Sequence, residues 1–161
     1  MKRFKTFSEQ ETKDVGWSLG KLLKAGDLVC LKGDLGAGKT AFTYGIARAA
    51  GVQGYITSPT FTIVNEYNSS IPLYHFDVYR ISDAEEMFDI GLEEYIGGEG
   101  ISVIEWADLI QEVLPEEYIA VRISKEPSEG DNARIIEVEF RGAKYQGYED
   151  ALNRQALKGV K

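Results

Sequence analysis

Gly33-Asp34-Leu35-Gly36-Ala37-Gly38-Lys39-Thr40 carries glycines, a lysine and a hydroxyl at the spacing G-x-x-x-x-G-K-[ST]. The glycines let the backbone turn so that successive N–H groups point at one phosphate. A helix that follows adds the positive end of its dipole to the same point. Lys39 is spaced to reach the β- and γ-phosphates of a bound nucleotide, and the Thr40 hydroxyl to ligate Mg²⁺. In a chain of this composition and length the four fixed positions match by chance roughly once in a hundred sequences. A phosphate-binding loop, or P-loop, is therefore expected rather than an incidental glycine turn.

Such a site also needs a carboxylate across the phosphates, to hold the metal's water shell or orient an attacking water. Glu105 suits this place, because it ends the apolar run Ile101-Ser102-Val103-Ile104 as a Walker-B acid does. Asp77 lies on another expected strand and is the second candidate, its alternative being a strand-end carboxylate bonded to backbone. Ser58-Pro59-Thr60 follows where many nucleotide hydrolases place a switch loop. His75, between aromatics, reads as a structural hydrogen-bonding residue, and Trp106 as a wall of the site or a core residue. Arg48 and Arg80 are the only arginines expected near the phosphates, and neither has the signature of an arginine finger.

The elements that must position these residues are legible from periodicity. Ser8 with Glu11 forms a capping box before Val15, Leu19, Leu22 and Leu23, which predicts a helix to about Lys24. A buried strand over Asp27 to Lys32 precedes the P-loop, and a helix over Thr40 to Ala50 follows it. Thr62 to Arg80 reads as two antiparallel strands joined at Asn68-Ser69-Ser70, with Tyr74, Phe76 and Val78 on one face and His75, Asp77 and Tyr79 on the other. Ser82 with Glu85 repeats the capping pattern before a short acidic helix. Strands follow at Ile101 to Ile104, Tyr118 to Ser124 and Ala133 to Phe140, with a mobile loop over Lys125 to Asn132 and a last helix from about Tyr145. The order implies an α/β fold of the P-loop NTPase kind: a mixed, mainly parallel sheet flanked by helices, with ligands at the carboxyl ends of its strands.

Length and composition set the outer limits. With 161 residues, 43% of them hydrophobic, the chain is expected to form one P-loop domain over 1–161, its tail from about 142 having no assigned role. One cysteine and one histidine leave no disulfide and no conventional zinc cluster. The N-terminus lacks the apolar region of a signal peptide and no stretch approaches the ~20 residues of a membrane span, so a cytoplasmic protein with no membrane partner is expected. The net charge of -8 argues against a protein that grips nucleic acid unaided. That charge is localised: Ile81 to Val121 holds twelve acidic residues and no lysine or arginine, while Met1 to Arg48 holds nine basic and five acidic residues. The acidic span reads as a solvated face or a docking surface for a basic partner.

The P-loop, Ser58-Pro59-Thr60-Phe61-Thr62, His75-Phe76-Asp77-Val78-Tyr79-Arg80 and Ile104-Glu105-Trp106, in this order and spacing, resemble the TsaE (YjeE) family of small bacterial P-loop ATPases. The match extends from about Ser8 to Phe140. That resemblance implies ATP as substrate and Mg²⁺ as cofactor, with Thr40 and Glu105 as metal ligands. It implies Asp77 as an essential acid near the γ-phosphate, catalysis shared by Lys39, Asp77 and Glu105, and a cradle of Leu35, Gly36, Ala37, Gly38, Lys39 and Thr40. Glu9 and Thr12 match the family segment that approaches the nucleotide, and Asp108 its third position after the Walker-B acid. The implied role is an accessory motor for making threonylcarbamoyladenosine beside the tRNA anticodon. It would bind the proteins TsaB and TsaD, meet tRNA only indirectly through them, and use ATP hydrolysis to permit repeated turnover.

Other uses of the same cradle remain as alternatives. A small-molecule kinase is the main one, but the arginines of a mobile lid are missing from Ile81 to Val121. A GTPase would carry N/T-K-x-D after the P-loop, and none is present. A nucleotide-binding adaptor that never hydrolyses is the third.

Overall fold

The computed structural model describes residues 1–59 and 63–159, the side chains of 157–159 aside. Thr60, Phe61 and Thr62 of the expected switch loop therefore lie outside the described residues.

β2 (Leu28–Lys32) is the strand expected before the P-loop. Its unbroken run Leu-Val-Cys-Leu fits a strand covered on both faces, since Val29 and Leu31 enter one core and Leu28 and Cys30 the other. β2 pairs in parallel with β5 (Ile101–Glu105) and β6 (Tyr118–Lys125), and β5 pairs in parallel with β4 (Leu73–Asp77). Antiparallel strands close both sides: β3 (Val64–Tyr67) beside β4, β7 (Arg134–Arg141) beside β6, and β1 (Lys2–Thr6) beside β7. The order is β1-β7-β6-β2-β5-β4-β3. The mixed sheet is thus parallel through its centre, as expected. Sequence reasoning missed β1, because alternating charged and apolar residues over so short a stretch also suit an unstructured start.

One face carries α1 (Glu9–Gly20), α2 (Lys39–Ala49) and α5 (Tyr148–Gly159), which bring Leu19, Phe42, Ile46 and Leu152 onto Val29, Leu31 and Val103. The other carries the short α3 (Glu86–Ile90) and α4 (Leu92–Tyr95) and a 3-10 segment over Ala107–Val113. The face assignment for β4 holds: Tyr74 and Phe76 pack edge-on against Tyr95, while His75 and Asp77 point to the side of α1 and α2. α1 and α2 cross with their backbones nearly touching, which only glycine permits. A Cβ on Gly45 would lie 2.0 Å from the Lys13 carbonyl, and one on Gly16 would lie 2.2 Å from that of Phe42. This close crossing holds the start of α1 beside the P-loop.

Some helix ends differ from expectation. Ser8 caps α1, its Oγ accepting from the Glu11 N–H at 3.1 Å, but Glu11 reaches back to the Phe7 N–H instead of to Ser8. α1 stops at Gly20, and Leu22 and Leu23 close tighter i→i+3 turns that lead the chain into β2. Ser82 does not cap α3. The N-cap position is Glu85, which makes no side-chain cap hydrogen bond, and Asp83 instead closes the turn before the helix, its Oδ1 accepting from the Glu85 N–H at 3.0 Å. The segment over Lys125 to Asn132 is folded as a hairpin connection with a 3-10 turn at Pro127–Glu129. The tail from Arg141 packs into the fold: the buried Tyr145 accepts from the Leu28 N–H, and Leu152 is fully buried. Cys30 is buried as well, and burial pushes its thiol far above the ordinary range, so it is no nucleophile. Among the described residues no helix is long and apolar enough to cross a membrane.

Candidate active site

The carboxyl ends of β2, β4 and β5 meet the start of α2 at a cleft of about 490 Å³. Gly36 and Gly38 have φ of +75° and +113°, the left-handed region where a side chain is strained, so the turn depends on glycine at both. Leu35, Gly36, Gly38, Lys39 and Thr40 line the cleft from this side. Ala37 is 1% exposed and sits behind the lining. Glu9 and Thr12 reach the rim from α1, where Thr12 shares a 2.9 Å hydrogen bond with Thr6 and Glu9 pairs with Lys13 at 3.4 Å.

Lys39 is 5% exposed. Its Nζ donates to the carbonyls of Gly33 at 2.5 Å and Asp34 at 3.0 Å, and lies 4.1 Å from the centroid of the Trp106 ring. Burial lowers its pKa from the ordinary lysine range, and the charges of Glu105, Asp77, Asp34 and Asp108 work in the opposite direction.

Across the cleft stand two carboxylates on residues paired in register, Asp77 and Glu105. Asp77 is 5% exposed. It accepts from the Ser58 hydroxyl on one oxygen and from the Tyr79 N–H on the other, both at 3.0 Å. Glu105, 3% exposed, lies with one oxygen 2.6 Å from His75 Nε2. His75 is wholly buried, and its Nδ1 has no hydrogen-bond partner among the described residues. The tautomer with the proton on Nε2 leaves no N–H unpaired, so His75 holds the Glu105 carboxylate in place. The structural role read for His75 thus has a specific object.

Trp106 lines the cleft and packs against Tyr79 in a tilted pair, with ring centroids 4.8 Å apart. Its φ of +63° is rare for a non-glycine residue, and backbone of this kind concentrates at functional sites. Asp108 lies outside the cleft, exposed on the 3-10 segment.

Sequence reasoning missed Ser8, Ala41, Asn132 and Arg134, which also line the cleft. Arg134 corrects the expectation that only Arg48 and Arg80 come near the phosphates. It lies 97 residues from Ala37 in sequence yet donates to that carbonyl at 2.8 Å, whereas Arg48 is bonded to the carbonyls of Val52 and Gly54. No local pattern marks a contact made across the sheet.

The donor set fits Mg²⁺ in a shared site. A hydroxyl and carboxylates are hard oxygen ligands, and among the described residues no group of three His, Cys, Asp or Glu could cage a metal alone. Mg²⁺ usually keeps waters and takes one or two protein oxygens together with substrate phosphates.

Comparison with known proteins bears on the same residues. A family model described as "Threonylcarbamoyl adenosine biosynthesis protein TsaE" matches residues 6–136, which includes the whole of the P-loop and both carboxylates. A tRNA threonylcarbamoyladenosine biosynthesis protein TsaE of Bacillus subtilis (strain 168) is 42% identical over 153 residues, 94% of each chain. That of Treponema pallidum (strain Nichols) is 44% identical over 116 residues, 72% of this chain and 86% of the other. The crystal structure of Bacillus subtilis YdiB superposes with a TM-score of 0.83 at 38% identity, covering 96% of this chain and 95% of that one. The chain belongs to the TsaE family of threonylcarbamoyladenosine biosynthesis proteins.

Proposed function

We propose that the chain is a Mg²⁺-dependent ATPase that works with TsaB and TsaD in the threonylcarbamoyladenosine modification of tRNA, hydrolysing ATP to permit repeated turnover of their complex. The observation that carries this reading is the facing of Lys39 and Thr40 by Asp77 and Glu105 across one cleft. In this reading the P-loop amides and Lys39 bind the triphosphate, and Thr40 and Glu105 hold Mg²⁺, which would neutralise charge on the phosphates. Asp77, held on both oxygens, orients the attacking water and receives its proton, and Trp106 walls the site. Arg134, which lines the cleft, is committed to backbone carbonyls, so charge developing in the transition state has no free guanidinium from it. Isolated hydrolysis is therefore slow, and a partner completes the site.

The test is phosphate release with and without TsaB and TsaD: a rise of about 10³-fold or more is expected if the partner supplies the missing stabilisation. An unchanged rate, or transfer of phosphate to a metabolite, would overturn the motor reading, the latter in favour of a small-molecule kinase. The acidic span supplies the surface for docking in this proposal. Glu85, Asp89, Glu93 and Glu94 are exposed around the half-exposed Phe88. Reversing Glu85, Glu86 and Asp89 to lysine is expected to weaken association with the TsaB–TsaD pair by about tenfold or more. Unchanged affinity of the folded variant, measured by calorimetry, would return the span to a solvated face.

A further inference from the structure

We propose that Arg134 is a positioning residue for the phosphate cradle, acting through the P-loop backbone; the proposal rests on the nucleotide-binding reading above. Arg134 opens β7, where it pairs with Lys125 of β6 and Thr6 of β1, so its stem is fixed by strands on both sides. Its guanidinium is spread over four carbonyls. Nε donates to Ala37 at 2.8 Å and Nη2 to Gly36 at 3.2 Å, while Nη1 donates to Asp131 and Ala133, both at 2.9 Å. One end of the fork therefore holds the β6–β7 connection and the other holds the P-loop.

The held peptide is the one that needs support from outside. Gly36 and Gly38 flank Ala37, and both sit at positive φ with no Cβ to narrow their conformations. Within a trans peptide the C=O and the following N–H point in opposite directions. Among the described residues no peptide is cis, so anchoring the Ala37 oxygen on Arg134 directs the Gly38 N–H to the opposite side of that plane. Gly38 lines the cleft, where that N–H serves as a phosphate donor. A planar fork with several donors at fixed angles is needed for this task. An ammonium is a point charge and cannot bridge the same carbonyls. Arg134 thus sets the geometry of the cradle before nucleotide arrives, and the cost of ordering the loop is not taken from binding.

The test uses the full chain with Arg134→Lys and Arg134→Ala, titrated calorimetrically with ATP and with inorganic tripolyphosphate. Both variants are expected to bind both ligands at least about tenfold more weakly than the unaltered protein, the scale of losing charge-assisted hydrogen bonds. In turnover KM should rise by more than kcat falls, since the chemistry of Asp77 and Glu105 is untouched. Millimolar guanidinium should restore part of the affinity of Arg134→Ala, a recovery that a general loss of fold would not show. Arg134→Lys keeps length and charge and carries the test if the alanine variant is unstable. Affinity in Arg134→Ala equal to that of the unaltered protein would overturn the proposal. So would full affinity in Arg134→Lys, which would mean that the charge acts on the phosphates directly. If the unaltered protein binds neither ligand, the nucleotide-binding reading falls and this proposal with it. Normal binding by the unaltered protein with unaffected variants overturns this proposal alone.

Discussion

Replacing Lys39 by alanine is expected to weaken ATP binding by about 10- to 100-fold, because the charged hydrogen bonds it would make to phosphate are worth about 1.5–3 kcal/mol each. The Nζ is held by two P-loop carbonyls and the Trp106 ring, so the cation is kept inside the cleft. That burial also lowers its pKa. An exposed lysine stays charged to a pH of about 10.4. Lys39 loses its proton before that as pH rises, and the neutral amine is a poor phosphate ligand. ATP affinity should therefore decline with rising pH ahead of the exposed lysines, and the decline should be absent in Lys39→Ala. Calorimetric titration across the alkaline range reads both effects. An alanine variant that binds as tightly as the parent, with the same pH profile, would remove Lys39 from the site.

Glu105→Gln is expected to lower phosphate release by about 10²- to 10⁴-fold, the range for loss of a carboxylate that manages a reacting water or its metal. The amide keeps the shape of the side chain, and its carbonyl oxygen can still accept from His75, so the variant should fold and retain metal-free ATP affinity. A single-turnover assay beside an equilibrium titration separates the two. Asp108→Asn is the matched control. Asp108 is close in sequence to Glu105 but lies outside the cleft and reaches the site only through the influence of its charge on Lys39, so its rate should fall far less than that of Glu105→Gln. Equal rates for all three proteins would move the essential carboxylate to Asp77. Glu105→Gln that still sustains repeated modification with TsaB and TsaD would support a nucleotide-binding adaptor that never hydrolyses.

Much of this architecture is written in short-range chemistry. The P-loop is a contiguous octapeptide whose glycines permit its own turn, and the parallel strands beside it are largely apolar runs. Helix ends were less legible, because several donors and acceptors within two residues compete for the same bond: Asp83 bonds the Glu85 N–H in the turn before α3 and leaves that helix without a side-chain cap, and Glu11 bonds Phe7. The alternation along β4 placed Asp77 and His75 on one face, but nothing in it said that the His75 ring would close on a carboxylate thirty residues away.

By itself, then, the sequence determined the P-loop motif, the two candidate carboxylates, the order of the central elements and the family, since each rests on local spacing or on linked motifs. Tertiary structure alone decided which side chains share the cleft. Strand order β6-β2-β5-β4 brings Asp77 and Glu105 into register, and β7, remote in sequence, carries Arg134 to the P-loop carbonyls. Such contacts depend on how strands are laid side by side, and the period-two pattern of a strand specifies its faces without naming its neighbours.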